Sequence, residues 1–427
     1  KTLEFDKILA RLRDCATSNF GKELAEKLKP DDDLETVREN LSLTTEAVKI
    51  FEISSPPLGG FRDVRETFKK IKLGSSADAE ELLDVLSTMY TMRQVKTFFK
   101  ETDVDAPQLK SRATEIEILG NLERQLDNAI DEHGAVRDTA SVELQKIRRE
   151  LRIAQSRIKS EIFDILHDAG KQKFFQDAIV TMRGDRYVLP VKLEYKAQFP
   201  GIVHDQSATG ATVFIEPLAV VNLNNSVKQL EAEERHEVAR ILRNLSDAVR
   251  KNLDELTNNI KILAEVDLLF AKAKLARDLN ATEPLLETFT DLKSARHPLI
   301  NPAEVVPVDI QLGENFSMLL VTGPNTGGKT VSMKTLGLLA LMTQSGLYIP
   351  AANSSRIAVF TNIFADIGDE QSIEQSLSTF SAHMKKIVAI LDDVTATDLV
   401  LLDEIGAGTD PDEGTALAMS ILERLLQ

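Results

Sequence analysis

The residues best suited to chemistry lie in one eight-residue stretch, GPNTGGKT at 323–330. It fits the pattern G-x-x-x-x-G-K-[ST], in which backbone N–H groups can approach crowded phosphate oxygens because glycine has no Cβ. In this pattern Lys329 would reach the β- and γ-phosphates, and the hydroxyl of Thr330 would be a ligand of Mg²⁺. The alternative is a glycine-rich turn that binds nothing.

The sequence on either side of this loop has the composition that a phosphate-binding loop requires. The apolar run 316–321 precedes it and predicts a buried strand, and the segment 331–342 predicts a helix. We therefore expect a nucleotide site with Lys329 and Asn325 among its catalytic residues. The residues expected to contact the nucleotide are Gly323, Pro324, Asn325, Thr326, Gly327, Gly328, Lys329, Thr330 and Val331.

A second candidate lies further along the chain, where four apolar residues after Asp398 end at two carboxylates, Asp403 and Glu404. An acidic pair at the end of a buried strand can complete a nucleotide site. Asp403 would hold Mg²⁺ through its water shell, and Glu404 would polarise the attacking water. The same pattern also occurs as an ordinary strand end, so its meaning depends on the loop at 323–330. The predicted cofactors are ATP and Mg²⁺.

The elements that position these residues belong to a chain of 427 residues, which is long enough for two to four domains. With 43% hydrophobic and 28% charged residues, the composition is typical of a helix-rich globular protein. A single cysteine, Cys15, excludes an internal disulfide framework and suits a reducing compartment. No signal peptide or membrane-spanning run is recognised, so we expect a cytoplasmic protein without a membrane partner. The net charge of −16 disfavours a protein that coats nucleic acid indiscriminately, although a local basic surface remains compatible with it.

Two stretches keep the apolar spacing of a helix over many turns, which predicts two long helices that pack antiparallel as a coiled-coil arm. In the first, the apolar residues are spaced 3, 4, 3, 4, 4 and 3 apart, and in the second 3, 4, 4, 4, 3, 4 and 3 apart. The first set is Leu144, Ile147, Leu151, Ala154, Ile158, Ile162 and Ile165, and the second is Val238, Ile241, Leu245, Val249, Leu253, Leu256, Ile260 and Leu263.

Between these stretches the pattern becomes β-rich, which predicts a small β tip on the arm. The predicted strands cover 178–183, 186–192 and 211–216. Residues 141–200 contain twelve Lys or Arg and eight Asp or Glu, an excess of four positive charges in an acidic chain. A polyanion is expected to bind here if anywhere, and the alternative is the ordinary charged surface of a coil.

Together these patterns predict a mixed α and α/β fold in four parts. Residues 1–120 form a helical core or lever region, and 121–264 form the arm with its β tip at about 176–217. Residues 265–288 form a return helix of the core. Residues 289–427 form an ABC-type P-loop α/β ATPase domain that is expected to be truncated at its C-terminus.

The C-terminal third resembles the ATPase of the MutS family in several motifs at once. Arg296-His297-Pro298 precedes the phosphate loop as in that family, and the loop resembles the family's GPNMGGKS. Four further motifs are similar: Ile349-Pro350-Ala351 to VPA, Ile363-Phe364 with Ile367-Gly368 to IFTRIG, Ser378-Thr379-Phe380 to STF, and Leu402-Asp403-Glu404-Ile405-Gly406 to LDEIG.

Segments 203–217 and 2–9 resemble the second bacterial branch of the family, MutS-two, which lacks the mismatch-reading N-terminal domains. Phe214-Ile-Glu216 spells the mismatch-reading F-x-E triplet, but a three-residue match within the β tip carries little weight. The loop 406–411 departs from the family's GRGTST, and Thr330 replaces its usual Ser. The family's switch histidine and the Smr nuclease-like domain of this branch would lie past residue 427. We therefore expect His297 and His383 to be structural or capping residues, and we expect no endonuclease activity from residues 1–427.

The resemblance implies an ATP-driven homodimer. Two ATPase domains would pair head to tail, with each ATP between the loop of one chain and Ser378 of the other. Lys329 and Ser378 would neutralise the γ-phosphate, Asn325 would hold the γ-phosphate or the water, and Glu404 would orient the water. Closure of the dimer would swing the two arms. The alternative role for Ser378 is the N-cap of a helix that starts near Phe380.

The sequence leaves three outputs open. A clamp of this branch could split stalled or collided ribosomes by contacting rRNA. It could also bind branched DNA and suppress homologous recombination, either in addition to the ribosome role or with DNA as its only substrate. The third is a non-clamp ABC ATPase. Transporter subunits carry an LSGGQ-type motif, which is missing here, and in coil-headed condensing proteins the phosphate loop precedes the coil. Both features disfavour the third output.

Overall fold

The computed structural model describes residues 2–323, 327–367, 376–406 and 409–426, and for 376–382 it describes the backbone alone. Within these ranges the chain is a mixed α and β protein, which confirms the predicted class. None of the described helices is both long and apolar enough to cross a membrane. The helices are α1 Phe5–Cys15, α2 Asn19–Glu26, α3 Leu34–Phe51, α4 Arg65–Lys72, α5 Ala79–Glu101, α6 Pro107–Thr114, α7 Gly120–Ala129, α8 Val142–His167, α9 Leu218–Arg250, α10 Leu253–Asp278, α11 Lys329–Gln344, α12 Ser376–Asp393 and α13 Pro411–Leu425.

The strands form three sheets. The first is antiparallel with the order β1-β2-β4-β3, the second is mixed with the order β5-β8-β6-β7, and the third is the parallel pair β9-β10. The strands are β1 Thr181–Arg183, β2 Arg186–Lys192, β3 Gly201–Gln206, β4 Thr212–Pro217, β5 Leu285–Glu287, β6 Thr290–Ala295, β7 Val308–Leu312, β8 Arg356–Ala358, β9 Ile363–Asp366 and β10 Leu399–Leu402.

The chain divides into two compact units, each with its own core. The first, which we call the ATPase-side unit because it contains the predicted phosphate loop, contains residues up to 63, residues 90–118 and residues from 254 onward. The second, which we call the arm unit, contains residues 64–89 and 119–253.

In the arm unit, α8 and α9 run antiparallel along a shared apolar seam. The helix α8 begins where the Ser141 hydroxyl accepts the N–H of Leu144 at 3.0 Å, which satisfies one of the donors left open at a helix start. Side-chain pairs then join the two helices: Ser141 donates to Glu237 at 2.6 Å, and Arg148 to Glu234 at 2.7 Å. The buried seam of α8 contains Leu144, Ile147, Ala154, Ile158, Ile162 and Leu166.

The second predicted long helix is interrupted. Its spacing predicts one helix through 238–263, but α9 ends at Arg250 and α10 begins at Leu253. The side-chain amide of Asn252 donates to the carbonyl oxygen of Ala248 at 2.8 Å and so caps the end of α9. Val249 before the break and Leu256 after it are both buried. The apolar spacing therefore continues across the break, and periodicity alone could not reveal it.

The sheet of the arm unit matches the predicted β tip closely. The predicted strand 186–192 is β2, 211–216 is β4 shifted by one residue, and 178–183 is confirmed over its last three residues as β1. Gly184 and Asp185 have φ of 54° and 55°, the paired positive values of a tight hairpin turn. The strand β3 was missed because it lies at the sheet edge and is mostly exposed, so it lacks the apolar alternation that the other strands show.

In the ATPase-side unit the core surrounds α11, which confirms the predicted helix 331–342. Leu338, Leu339, Ala340 and Met342 are fully buried, so this helix is covered on nearly all sides. At Gly337 the packing leaves no room for a side chain, because a Cβ there would lie 2.7 Å from Leu401 and 2.9 Å from Leu3. The helix behind the phosphate loop is thereby held against β10.

The predicted strand 316–321 is wrong in this structure. Residues 316–322 have no ladder partner among the described residues and lie outside any helix or strand. Leu319, Leu320 and Val321 are 47%, 66% and 43% exposed. A strand is stable only where a second strand accepts and donates hydrogen bonds to its backbone N–H and C=O groups. An apolar run shows strand propensity, but it does not show that such a partner strand exists.

Candidate nucleotide-binding site

The described part of the phosphate loop has the backbone that the sequence requires. Gly323 and Gly328 have φ of 138° and 80°, values that strain any residue with a Cβ. A Cβ built at either position, or at Gly327, would have no atom of the described residues within 4 Å apart from its own chain neighbours, so the described part of the loop leaves open space in front of it. Gly328 is the N-cap of α11, whose first N–H groups face this space. The loop can therefore accept an anion.

Lys329 lies across the loop. Its ammonium group donates to the carbonyl oxygen of Gly323 at 2.6 Å, which joins the first glycine of the loop to the first residue of α11. The contact is exposed to solvent. The ammonium group is therefore at the open side of the loop, where a phosphate can replace the carbonyl as its partner.

Thr330 and Asp403 meet in the structure although 73 positions separate them in the sequence. The hydroxyl of Thr330 donates to a carboxylate oxygen of Asp403 at 2.5 Å. Asp403 is positioned by the parallel sheet, because β10 pairs with β9 and the Asp403 N–H donates to the carbonyl oxygen of Asp366 at 3.0 Å. The run 399–402 is β10, which confirms the predicted strand before the acidic pair.

One hydroxyl and one carboxylate fit a magnesium ion that arrives with a nucleotide. Magnesium binds oxygen ligands, keeps several waters and takes its remaining ligands from substrate phosphates. No group of three or more His, Cys, Asp or Glu side chains that could hold a metal is found in the ranges that the structure describes. The donor set therefore suits Mg²⁺ better than a zinc ion, which needs three or four protein ligands.

Glu404 follows Asp403 in a strained conformation. Its φ is 50°, in the left-handed region that is unfavourable for a glutamate, and its N–H donates to the other carboxylate oxygen of Asp403 at 3.1 Å. The turn continues at Gly406, where φ is 82° and a Cβ would lie 2.4 Å from the carbonyl oxygen of Gly414 in α13. The chain thus leaves β10 abruptly and places the exposed carboxylate of Glu404 beside Asp403.

The structure brings together six of the predicted site residues. Four others are not among the residues that it describes in full. Pro324, Asn325 and Thr326 lie outside the described residues, and so does the side chain of Ser378. Because α12 begins at Ser376, Ser378 lies inside the helix rather than at its N-cap. Val331 is in the first turn of α11 and is 41% exposed. The six that meet are Gly323, Gly328, Lys329, Thr330, Asp403 and Glu404.

One acidic residue of this region escaped the sequence analysis. Asp366 ends β9, and its carboxylate is bound by His383 Nδ1 at 2.6 Å and by Lys386 Nζ at 3.4 Å. Its side chain is only 3% exposed. The signal was present, because 363–366 is a short apolar run that ends in an acid, as 399–403 is. His383, which was expected to be structural, supplies the shorter of the two contacts.

The other histidine of the resemblance, His297, is structural as expected. It is 7% exposed, and its Nδ1 accepts the N–H of Leu299 at 3.3 Å. Burial lowers the pKa of its imidazole, which favours the neutral ring that this acceptor role requires.

The far end of α11 is fixed by three donors of the same unit, one from α3, one from α10 and one from the coil before α3. The carbonyl oxygens of three consecutive residues, Gln344 to Gly346, accept from the Asp31 N–H at 2.9 Å, the Lys272 ammonium at 2.8 Å and the Thr44 hydroxyl at 2.6 Å. These donors satisfy carbonyls that a helix end leaves open. Burial lowers the pKa of Lys272 to about 8. A buried lysine kept at a helix C-terminus stabilises the negative end of the helix dipole.

Five of the twelve basic residues of 141–200 form ion pairs within the described chain. Arg186 binds Glu216 at 2.9 Å, and Glu216 has a fully buried side chain that is also bound by His204 at 2.6 Å. Glu216 of the F-x-E triplet is therefore an interior ion-pair partner and does not face a ligand. The other basic residues of this span with an ion pair in the described chain are Arg148, Arg152, Lys171 and Arg183.

A smaller basic surface remains on α8. Lys146, Arg149 and Arg157 are exposed, and spacings of 3 and 8 residues place them on one face of the helix. None of the three has an ion pair within the described ranges. We call this set the α8 basic face.

Comparison with known proteins identifies relatives of this chain. Residues 319–427 match the family model described as MutS domain V. Over the whole chain, the sequence is 46% identical to a protein named Endonuclease MutS2 from Bacillus cytotoxicus and 47% identical to proteins of the same name from Acetivibrio thermocellus and Geobacillus sp.. The matches cover 99–100% of this chain but 54–55% of those proteins, so the chain spans about half the length of the curated relatives it matches.

Proposed function

Because the chain belongs to the MutS family and is of the MutS2 type, we propose that it is an ATPase whose nucleotide cycle drives a homodimeric clamp on nucleic acid. The observation that carries the ATPase assignment is the meeting of Thr330 and Asp403, because it unites the phosphate loop with the acidic strand end. The open space in front of Gly323, Gly327 and Gly328 supports the same assignment.

The roles proposed for the residues combine the positions of the described ones with what the family resemblance implies. The loop N–H groups and the Lys329 ammonium bind the phosphates, and Thr330 with Asp403 holds Mg²⁺ either directly or through water. When bound, Mg²⁺ neutralises charge on the phosphate oxygens. Glu404 orients the attacking water and accepts its proton. Ser378 of a partner chain and Asn325 complete the contacts to the γ-phosphate.

The substrate that the clamp grips is proposed to be nucleic acid, either branched DNA or rRNA on a stalled or collided ribosome. The name of the relatives, which contains the word endonuclease, supports a nucleic-acid substrate class. The α8 basic face offers positive charge that no acid in the described chain neutralises. Phosphate contacts of this kind give affinity without sequence preference, so they are compatible with both DNA and rRNA.

The first experiment uses the complete protein with Glu404→Gln, which is expected to bind ATP, hydrolyse it slowly and remain closed. It is sedimented from cell lysate with and without DNase. Co-sedimentation with ribosomes that survives DNase would establish the ribosome as substrate and ribosome splitting as the working function. Release by DNase without ribosome association would establish the DNA-directed, recombination-suppressing function instead. Association with neither would refute the proposed clamp.

A second experiment tests the surface on α8. Replacing Lys146, Arg149 and Arg157 by Ala should weaken polyanion binding and lower the slope of log affinity against log salt concentration by about 2–3, because each phosphate contact contributes a slope of about 0.9. The matched control replaces three exposed lysines of the ATPase-side unit, Lys29, Lys49 and Lys261, and changes the net charge equally. An equal loss in both variants would show that net charge matters and that the α8 basic face is not the contact.

A further inference from the structure

The carboxyl ends of β9 and β10 carry two acids that point to opposite faces of the parallel sheet. Leu401 faces α11, since a Cβ on Gly337 would touch it, and Asp403, two residues later, reaches Thr330 on the same face. Asp366 is in register with Leu402, the residue between them. Its side chain therefore lies on the other face, where α12 packs.

Asp366 is joined to the metal-binding end of the site through the backbone. The N–H of Asp403 donates to the carbonyl oxygen of Asp366 at 3.0 Å, which continues the parallel ladder one residue past β10. Any displacement of Asp403 would therefore act directly on the peptide group of Asp366. The two acids therefore lie side by side at the carboxyl ends of two paired strands.

The carboxylate of Asp366 is bound from α12. His383 Nδ1 lies 2.6 Å from one oxygen and Lys386 Nζ lies 3.4 Å from the other. Both residues lie on the face of α12 that also buries Ile387 and Ile390, which are 4% and 7% exposed. The Asp366 side chain is 3% exposed with α12 in place, so a movement of α12 away from the sheet would break both of these contacts.

The same helix carries Ser378, which is in its first turn, while His383 is five residues further along. We propose that Asp366 and His383 are a positioning pair that couples the Asp403 end of the nucleotide site to α12, and so sets the direction in which α12 presents Ser378 to a partner subunit. The inference rests on the proposed function, because it assigns a role in the ATP-dependent pairing of two subunits. Neither residue of the pair is proposed to touch the nucleotide.

The test separates nucleotide binding by one subunit from the pairing of subunits. In the full chain, His383→Leu removes the hydrogen bond, while His383→Asn keeps a donor at nearly the position of Nδ1. We expect His383→Leu to raise the ATP-dependent dimer dissociation constant at least about tenfold and to lower kcat similarly, because the buried Asp366 carboxylate loses its shorter hydrogen bond. The Kd for ATP at protein concentrations below dimerisation should change less than about threefold, and His383→Asn should restore most of the dimer affinity.

Two further variants distinguish the loss of this contact from a general loss of folding. Lys386→Met removes the longer contact from a side chain that is 65% exposed, so the fold should persist and the dimer constant should rise by a smaller factor. Lys385→Met changes the neighbouring exposed lysine and should leave every quantity unchanged. Dimerisation is measured by analytical ultracentrifugation with ATP and Mg²⁺, and thermal unfolding is recorded for each variant.

The outcomes separate this inference from the proposed function. A wild-type chain that binds ATP but does not dimerise would remove the proposed function. A wild type that dimerises with ATP, together with His383→Leu and Lys386→Met variants that dimerise equally well, would overturn the positioning pair alone. A loss of ATP affinity by the single subunit in His383→Leu would also overturn it, because the residue would then act in the nucleotide site itself.

Discussion

The hydroxyl of Thr330 lies 2.5 Å from a carboxylate oxygen of Asp403, and this contact joins the start of α11 to the end of β10. Two oxygens from distant parts of the chain converge where a magnesium ion that accompanies a nucleotide would need them. The contact also identifies which atoms a mutation must remove to separate metal binding from phosphate binding.

The first prediction concerns that contact. Thr330→Val should reduce the Mg²⁺-dependent gain in ATP affinity by about 10- to 100-fold, because a ligand oxygen is lost and the Asp403 carboxylate loses its donor. Thr330→Ser keeps the hydroxyl and should remain within about threefold of wild type. Calorimetric titration of ATP with and without Mg²⁺ gives both values. An unchanged Mg²⁺ dependence in Thr330→Val would place the metal elsewhere.

The second prediction concerns Lys329. Its ammonium contacts a carbonyl on the exposed side of the loop, so Lys329→Met should change the free energy of unfolding by less than about 0.5 kcal/mol. The affinity for ATP should fall at least about tenfold, because the variant loses a charge-assisted contact to phosphate. Lys334→Met, later on the same helix and paired with Glu4 at 3.5 Å, is the control and should keep its affinity. Equal ATP affinity in Lys329→Met and wild type would contradict the assigned site.

The third prediction concerns pH and Lys272. Burial lowers its pKa in the folded chain to about 8, from 10.5 when exposed. Below pH 8 both folded and unfolded chains carry the charge, so the folded state bears the full cost of burying it. As pH rises from 8 to 10.5 the folded chain loses this proton first, and stability should increase by up to about 3 kcal/mol relative to a chain without the group.

The comparison that isolates this effect is the difference in unfolding free energy between wild type and Lys272→Met, measured by urea denaturation from pH 7 to 10.5. The difference should shift in favour of wild type across that window. Lys261→Met, on the exposed side of the same helix, serves as the control and should show no such shift. A flat difference for Lys272→Met would mean that the buried amine does not change its charge over this range.

The fourth prediction concerns a close approach inside the ATPase-side unit. The Asp267 carboxylate, 1% exposed, accepts the N–H groups of Thr17 and Ser18 at 2.9 and 2.7 Å at the start of α2. A Cβ on Gly21 would lie 2.2 Å from that carboxylate. Gly21→Ala should therefore destabilise the chain by about 2–4 kcal/mol, through overpacking and disturbance of a buried acid.

The control for Gly21→Ala is Gly59→Ala, because a Cβ at Gly59 meets no atom within 4 Å. Its unfolding midpoint in urea should stay close to that of wild type. If both alanine variants unfold at the wild-type midpoint, the packing around Asp267 is looser than the structure indicates.

The sequence by itself determined which residues make up the proposed nucleotide site. A phosphate loop and an acid after an apolar strand are local patterns, because the required residues are neighbours in the chain. For the same reason the helix α11, the strand β10, the β2 and β4 strands and the seam of α8 were all predictable, since each depends on the spacing of apolar residues within one element.

The tertiary structure decided everything that depends on a distant partner. The run 316–321 has strand composition but no ladder partner among the described residues, and the break at 251–252 is hidden by apolar spacing that continues across it. Arg186 counts as a surface charge in the sequence but is used by the buried Glu216. The contacts of Asp366 could not be predicted from the sequence, because they depend on β9, which places it beside Asp403, and on α12, which covers it. Burial, charge pairing and strand register are non-local, so one sequence pattern is compatible with several outcomes until the fold selects one.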